Sequence, residues 1–326
     1  MKPCVTPEPD VSVIVATYNR AEVLRGALDS LWHQDAAGTS YEVIVADNNS
    51  TDDTRRVVEE LQEQTNHVPL VYCFEAEQGV SYARNTGIAH ARAPILAFTD
   101  DDIRPASDWV ASVSEGFKRF PQADCIGGKV LPDPATTFPD WLTEDHWTPL
   151  ALLNLGDEPL VLDVQNGAGL VGANLAIRAA ALAEVGSFRP QLQRVKGGIG
   201  SLEDTELELR LSLAQKCLMY LPELIVYTQV LDERLEKAYH RRWYCGHGHF
   251  YAVMRDEKFE TSKFRVFDVP GHLYRRTFAN LFDWLKSRVK DEPHLGFQRE
   301  LELRFFWGFF RKRFAERQSL LRLRHR

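Results

Sequence analysis

Over its first hundred residues the chain alternates short β-type runs with amphipathic helical segments, the pattern of a parallel sheet built from βαβ units. Val11-Ser12-Val13-Ile14-Val15-Ala16 reads as a first strand, and Ala21 to His33 as a helix with Leu24, Leu28 and Leu31 on one face. Tyr41 to Ala46 is the second strand. Asp52 to Gln64 is the second helix, with Val57, Val58 and Leu61 inward and Ser50 and Thr51 ahead of it as caps. A strand over Leu70 to Phe74, a helix over Val80 to Ala91 and a strand over Pro94 to Phe98 complete the series.

Each strand ends in polar residues. In an open parallel sheet ligands sit beyond the carboxyl ends of the strands, so Tyr18 and Asn19, Asp47 to Asn49, and Asp100 to Asp102 are expected on one rim. Past Asp102 the regularity falls. A helix over Trp109 to Phe117 and a strand over Cys125 to Leu131 precede a loop region marked by Pro132, Pro134, Pro139 and Pro149 and carrying Trp141 and Trp147. Long aromatic loops of this kind are more often functional than idle. The Gly-rich stretch Gly197 to Gly200, a helix over Glu203 to Gln215 and a strand over Met219 to Tyr227 follow, and from about Glu233 the pattern is helical, basic and aromatic.

With 326 residues, 44% of them hydrophobic, the chain can bury one large domain with an appendage or two modest ones. Its net charge of −7 is unevenly placed: residues 297–326 carry nine Lys/Arg against three Glu, a +6 tail on a −13 body. The acidic body argues against nucleic-acid binding. The tail suits an anionic membrane surface or an acidic partner, or is a solvated helix packed on its own domain. Cys4, Cys73, Cys125, Cys217 and Cys245 are scattered, with no C-x-x-C pair, and read as reduced thiols. Met1 to Asp10 lacks the order of a signal peptide, and no stretch approaches the roughly 18 apolar residues of a spanning helix. The expected location is cytoplasmic, with peripheral contact at the cytoplasmic membrane face through the basic C-terminal helices left open.

Three consecutive acids at a strand end, Asp100-Asp101-Asp102, are the strongest chemical signal. Adjacent carboxylates repel unless something positive sits among them; Mn²⁺ or Mg²⁺ suits hard oxygen ligands with room left for phosphate. A solvated acidic loop is the plainer alternative. Glu203 and Asp204 stand at a helix start, where they could cap the helix or reach into a cleft as a general base. Gly79 to Gly87 opens a helix whose N-terminus and Arg84 could hold a phosphate, yet it matches neither a P-loop nor a dinucleotide fingerprint. His247 and His249 near Cys245 make a weak zinc signal. Trp141, Trp147 and Trp243 could stack on a sugar or fill the core.

In order, these segments resemble the family-two glycosyltransferases. The matching residues are Val11 to Arg20, Val43 to Asp52, Gly79 with Ala83-Arg84-Asn85-Thr86-Gly87, Thr99 to Asp102 with Asp108-Trp109, Gly127-Gly128, Gly172 to Arg178, Val185 to Phe188 and Glu203 to Leu207. The resemblance implies a GT-A fold: α/β, a Rossmann-like and mostly parallel nucleotide-binding sheet with helices on both faces. It also implies a catalytic domain over residues 1–232, with donor half about 10–103 and acceptor half about 104–232, and a helical extension over 233–326. The reaction implied is inverting transfer of a sugar from a nucleotide-sugar donor, UDP-linked by expectation, to a hydroxyl of a glycan, lipid-linked or polysaccharide acceptor.

Carried onto this chain, the resemblance assigns Ala16, Thr17, Tyr18, Asn19, Asp47, Asn49, Arg84, Asp100 and Asp101 to the donor. Asp102 and Asp100 go to a divalent metal, Asp204 to the general base with Glu203 as its rival, and Gly128, Gly172, Ala173, Asn174 and Trp141 to the sugar and acceptor pocket. One departure stands out: Thr228 occupies a place where relatives often carry a His that helps hold metal or pyrophosphate. Two other readings remain, a catalytically impaired sugar-nucleotide-binding protein and a D-x-D phosphatase. The latter chemistry wants its acids after the first strand, not the fourth.

Overall fold

The computed structural model describes residues 8–64, 68–193 and 199–324, with side chains to residue 319. Cys4, Gly197 and Gly198 lie outside the described residues. Two units emerge: the first comprises Met1–Thr136, Ala151–Gln191 and Glu203–Val230, the second Thr137–Leu150, Leu192–Leu202 and Leu231–Arg326.

The first unit contains β1 (Val11–Thr17), α1 (Ala21–Trp32), β2 (Tyr41–Asp47), α2 (Thr54–Gln64), β3 (Leu70–Phe74), α3 (Val80–His90), β4 (Ile95–Asp100) and β5 (Ile103–Pro105). It continues with α4 (Trp109–Arg119), β6 (Ala123–Pro132), β7 (Leu160–Val161), β8 (Leu175–Arg178), α5 (Ala179–Val185), α6 (Glu203–Leu213) and β9 (Cys217–Thr228). The sheet runs β3-β2-β1-β4-β8-β6-β9-β5, with β7 also on β9. Its β3-β2-β1-β4 half is parallel. In the other half β8 lies antiparallel between β4 and β6, while β6 runs parallel to β9.

Val11, Val13, Ile14, Val15, Val43, Ile44 and Val45 are fully buried. Their unbroken apolar run, in place of an alternating one, is what a parallel strand covered on both faces requires. Register then aligns the polar ends: Thr17 pairs with Asp47, and Ala16 with Asp100. The expected rim is therefore level across three strands.

The second unit holds α7 (Lys237–Met254), the short α8 (Glu257–Glu260), a hairpin of β10 (Arg265–Val266) and β11 (Val269–Pro270), α9 (Gly271–Val289) and α10 (Pro293–Arg324). Ala252, Val269, Leu273, Phe306 and Phe309 form its core, with Phe305, Phe310 and Phe314 packed on them. Fully buried Arg313 pairs with Glu260 and Asp268. No described helix is long and apolar enough to cross a membrane.

Candidate active site

The rim at the end of β1 is built by short polar contacts. Thr17 Oγ1 donates to Asp101 Oδ2 at 2.8 Å, and Arg20 Nη1 donates to Asp101 Oδ1 at 2.9 Å and Asp102 Oδ2 at 2.7 Å. Burial opposes charge on the Arg20 guanidinium, but Asp101 and Asp102 outweigh it and raise its pKa. Burial pushes the Asp101 carboxyl up to about 6 against the pull of Arg20. Thr17 and Asp101 are thus engaged by one another.

Asn19 and Asn49 adopt left-handed backbone, φ 51° and 61°, a conformation Asn tolerates better than most residues. The turn at Asn19 lets its amide donate to Ser50 Oγ (2.9 Å) and its Oδ1 accept from Thr51 N (2.7 Å), latching the first two strand ends together. Ser50 and Thr51 are consequently not the caps expected of them. α2 starts at Thr54, whose amide donates to Asp52 Oδ1 at 3.0 Å. Asp47 is buried, with Oδ1 accepting from Ser50 N at 2.9 Å and Oδ2 from Tyr72 OH at 2.7 Å. Tyr18 and Asn49 are exposed and Ala16 is half-buried.

Arg84, on α3, joins this rim to α6. It is 3% exposed, its Nη2 donates to Asp100 Oδ1 at 3.1 Å and its Nη1 to Asp204 Oδ1 at 2.6 Å, and its guanidinium lies 5.2 Å over the Phe188 ring. Burial alone would lower its pKa, yet Asp204, Asp100 and Glu203 raise it, so the charge is retained. Asp204 Oδ2 also accepts from Gly172 N at 3.1 Å. A Cβ at 172 would fall on that carboxylate, so any other residue there would push Asp204 from its place. One turn along α6, buried Glu208 accepts from Leu170 N at 3.1 Å, and burial raises its carboxyl well above the usual range. Two carboxylates of one helix thereby strap residues 170–172. Glu203 is buried beside Asp204.

The pocket residues divide. Ala173 and Asn174 are buried; Asn174 Nδ2 donates to the Lys129 and Leu224 carbonyls at 2.9 and 3.0 Å, and its Oδ1 accepts from Trp109 Nε1 at 2.8 Å. Its amide is a scaffold strut, with both ends used internally. A Cβ at Gly128 would run into the Leu224 and Leu221 carbonyls, so that glycine serves the close passage of β6 along β9. Trp141 belongs to the second unit, where it meets His240 (5.0 Å), Phe297 (5.1 Å) and His146 (5.6 Å) edge-on. Thr228 is buried at the end of β9, opposite Ile103, the residue after Asp102. His247 stacks on Trp243 at 4.3 Å, and among the described residues no three His, Cys, Asp or Glu side chains are grouped to hold a metal.

Arg20 was legible only as part of a motif; a cation one residue past the rim, on a chain with three clustered acids, was the available signal. The acids' mutual repulsion is met by Arg20 and Arg84, so it does not by itself demand a metal. Four carboxylates, Asp100, Asp101, Asp102 and Asp204, nonetheless share two guanidiniums. Asp100 Oδ2 and Asp102 Oδ1 have no protein hydrogen bond among the described residues. That donor set fits a hard divalent cation that takes one or two carboxylates and completes its shell with phosphate oxygens and water.

A family model described as "Glycosyl transferase family 2" matches residues 12–186. The chain is 33% identical over 162 residues to validoxylamine A glucosyltransferase of Streptomyces hygroscopicus subsp. jinggangensis (strain 5008), covering 48% of this chain and 38% of that protein. It is 27% identical over 184 residues to glucosyl-dolichyl phosphate glucuronosyltransferase of Haloferax volcanii, covering 55% of each. The chain thus spans well under two thirds of these relatives. Among solved structures, mannosyltransferase PcManGT from Pyrobaculum calidifontis, in complex with GDP-Man and Mn²⁺, superposes with TM-score 0.56 at 20% identity over 97% of this chain and 75% of that one. S. aureus TarS 1-349 in complex with UDP gives TM-score 0.53 at 17% identity over 90% of each. At those identities the likeness establishes the GT-A fold.

Proposed function

The chain belongs to glycosyl transferase family 2, whose model covers more than half of it, and from that premise we propose an inverting transferase that moves a sugar from a UDP-type donor to a hydroxyl of a glycan, lipid-linked or polysaccharide acceptor. The observation that carries this reading is the bridge Asp100–Arg84–Asp204, which ties the nucleotide rim to the candidate base through one buried guanidinium. The residues 1–232 would form the catalytic domain and 233–326 its extension.

In this reading the exposed Tyr18, Asn19 and Asn49 line the nucleoside side of the rim with Ala16, while Asp47, Thr17 and Asp101 hold it in shape. Asp100 and Asp102 offer their unengaged oxygens to Mn²⁺ or Mg²⁺. Such an ion, when bound, would offset the charge that grows on the diphosphate as the glycosidic bond breaks. Asp204 takes the proton of the acceptor hydroxyl. Its carboxylate is pinned at one oxygen by Arg84 and at the other by Gly172 N, which fixes its direction. Attack from that side displaces the nucleotide in line, and the anomeric configuration inverts. Glu203 is buried and adjacent, so Asp204, the more exposed of the two, is the better placed base.

Thermal-shift screening against nucleotide sugars with and without Mn²⁺, followed by nucleotide release, tests the reading, because a selective donor stabilises the fold by mass action. Stabilisation by a nucleotide sugar with release of its nucleotide is expected. Binding without turnover across acceptors would favour a catalytically impaired binding protein instead.

A further inference from the structure

Five large apolar side chains of α9 stand in solvent: Phe278 (69% exposed), Leu281 (39%), Phe282 (67%), Leu285 (51%) and Val289 (87%). They recur at the third, fourth, seventh and eleventh positions after Phe278, which is one continuous stripe on a helix. This stripe is not the face α9 uses to pack, because Leu273, Asn280 and Ser287 are its buried residues. Beside it stand exposed Arg275, Lys286 and Arg288, while Arg276 lies on the packing face over the Phe306 ring; just past the helix exposed Lys290 is followed by exposed Asp291 and Glu292. Asp283 is the one acid on α9, and it lies 4.0 Å from Arg299.

The aromatic tail, which the composition singled out for membrane contact, is arranged differently. α10 buries Phe306 and Phe309 and packs Phe305, Phe310 and Phe314 against them; its exposed large apolar side chains are Leu295 and Trp307 among those described. Apart from Trp307 its aromatic content is packed, and the continuous free apolar face belongs to α9.

We propose that this face of α9 docks on an anionic lipid bilayer. An apolar stripe with Lys and Arg along its borders seats a helix in the interfacial plane, the rings among the upper acyl carbons and the cations at the headgroups. Charge selects the occupant. A chain of net charge −7 sets three exposed cations, Arg275, Lys286 and Arg288, along one apolar stripe whose helix carries a single acid, which matches anionic headgroups. The same cations oppose a two-fold contact with a second copy, which would set like charges face to face. The inference stands apart from the sugar-transfer reading, since it concerns attachment alone.

Co-sedimentation of the full chain with phosphatidylcholine vesicles, and with vesicles that also contain phosphatidylglycerol, tests the proposal. Binding is expected to the anionic vesicles and to fall with added salt. The F278S/F282S variant should bind at least about tenfold more weakly, and K286Q/R288Q about fivefold more weakly for each charge lost. Circular dichroism checks the fold, and K286Q/R288Q carries the test if the serine variant unfolds. Indifference of the intact chain to anionic vesicles would overturn the proposal, as would undiminished binding by folded variants. A wild-type dimer in sedimentation equilibrium that F278S/F282S dissolves would give the face to a second copy instead.

Discussion

Arg84→Met removes one guanidinium from three partners at once: Asp204 at 2.6 Å, Asp100 at 3.1 Å and the Phe188 ring at 5.2 Å. Breaking a buried ion pair from one side costs about 3–5 kcal/mol, because the remaining charges stay behind. Here the carboxylate side chains are 24% and 36% exposed, so water recovers part of the loss and the lower end, about 3 kcal/mol, applies. For a body of this size each kcal/mol moves the melting temperature by roughly 2–4 °C, which places the variant roughly 6–12 °C below wild type. The substitution also leaves Asp100 and Asp204 without a cation among the described residues, since Arg20 serves only Asp101 and Asp102. Mn²⁺ should therefore stabilise Arg84→Met more than wild type, while nucleotide release from the donor is lost along with the positioning of Asp204. Arg84→Lys keeps the charge but not the two-armed fork, and should fall between them. Thermal melts with and without Mn²⁺, beside nucleotide-release rates, give both readouts. A variant that melts within about 1 °C of wild type and turns over normally refutes the reasoning, since a bridge so buried cannot be removed silently.

Asp204→Asn should keep donor binding and lose turnover by about a hundredfold or more; near-normal transfer would move the base to Glu203 or elsewhere. Asp102→Ala should weaken Mn²⁺-dependent donor binding measured by calorimetry, and an affinity unchanged with and without the ion would remove Asp102 from the metal set. The raised carboxyl of Asp101 gives a signed pH effect. Its folded value of about 6 lies above the ordinary aspartate value of 3.8, so its contribution to stability is present below about pH 4 and is lost as pH rises through about 6. Asp101→Asn should flatten denaturant-derived stability across that window, and an identical pH profile in the variant would contradict the assignment.

What the sequence by itself determined is local and periodic. Unbroken runs such as Val13-Ile14-Val15 and Val43-Ile44-Val45 specify doubly covered strands because successive side chains point to opposite faces of the sheet and each face needs an apolar cover. Their polar terminations mark the rim, since ladder pairing carries strand ends to a common level. The tertiary structure alone decided which charge answers which. Arg84 lies 16 residues from Asp100 and 120 from Asp204 along the chain, and no periodicity connects positions so far apart. Likewise the Asn174 side chain became a strut only because β6 and β9 bring carbonyls to its amide. The aromatic residues of the tail and of α9 look alike in composition, and helix packing turned Phe305, Phe306, Phe309, Phe310 and Phe314 of the tail inward and left Phe278 and Phe282 facing water. Burial and ion pairing depend on distances through space, which composition and spacing along the chain do not encode.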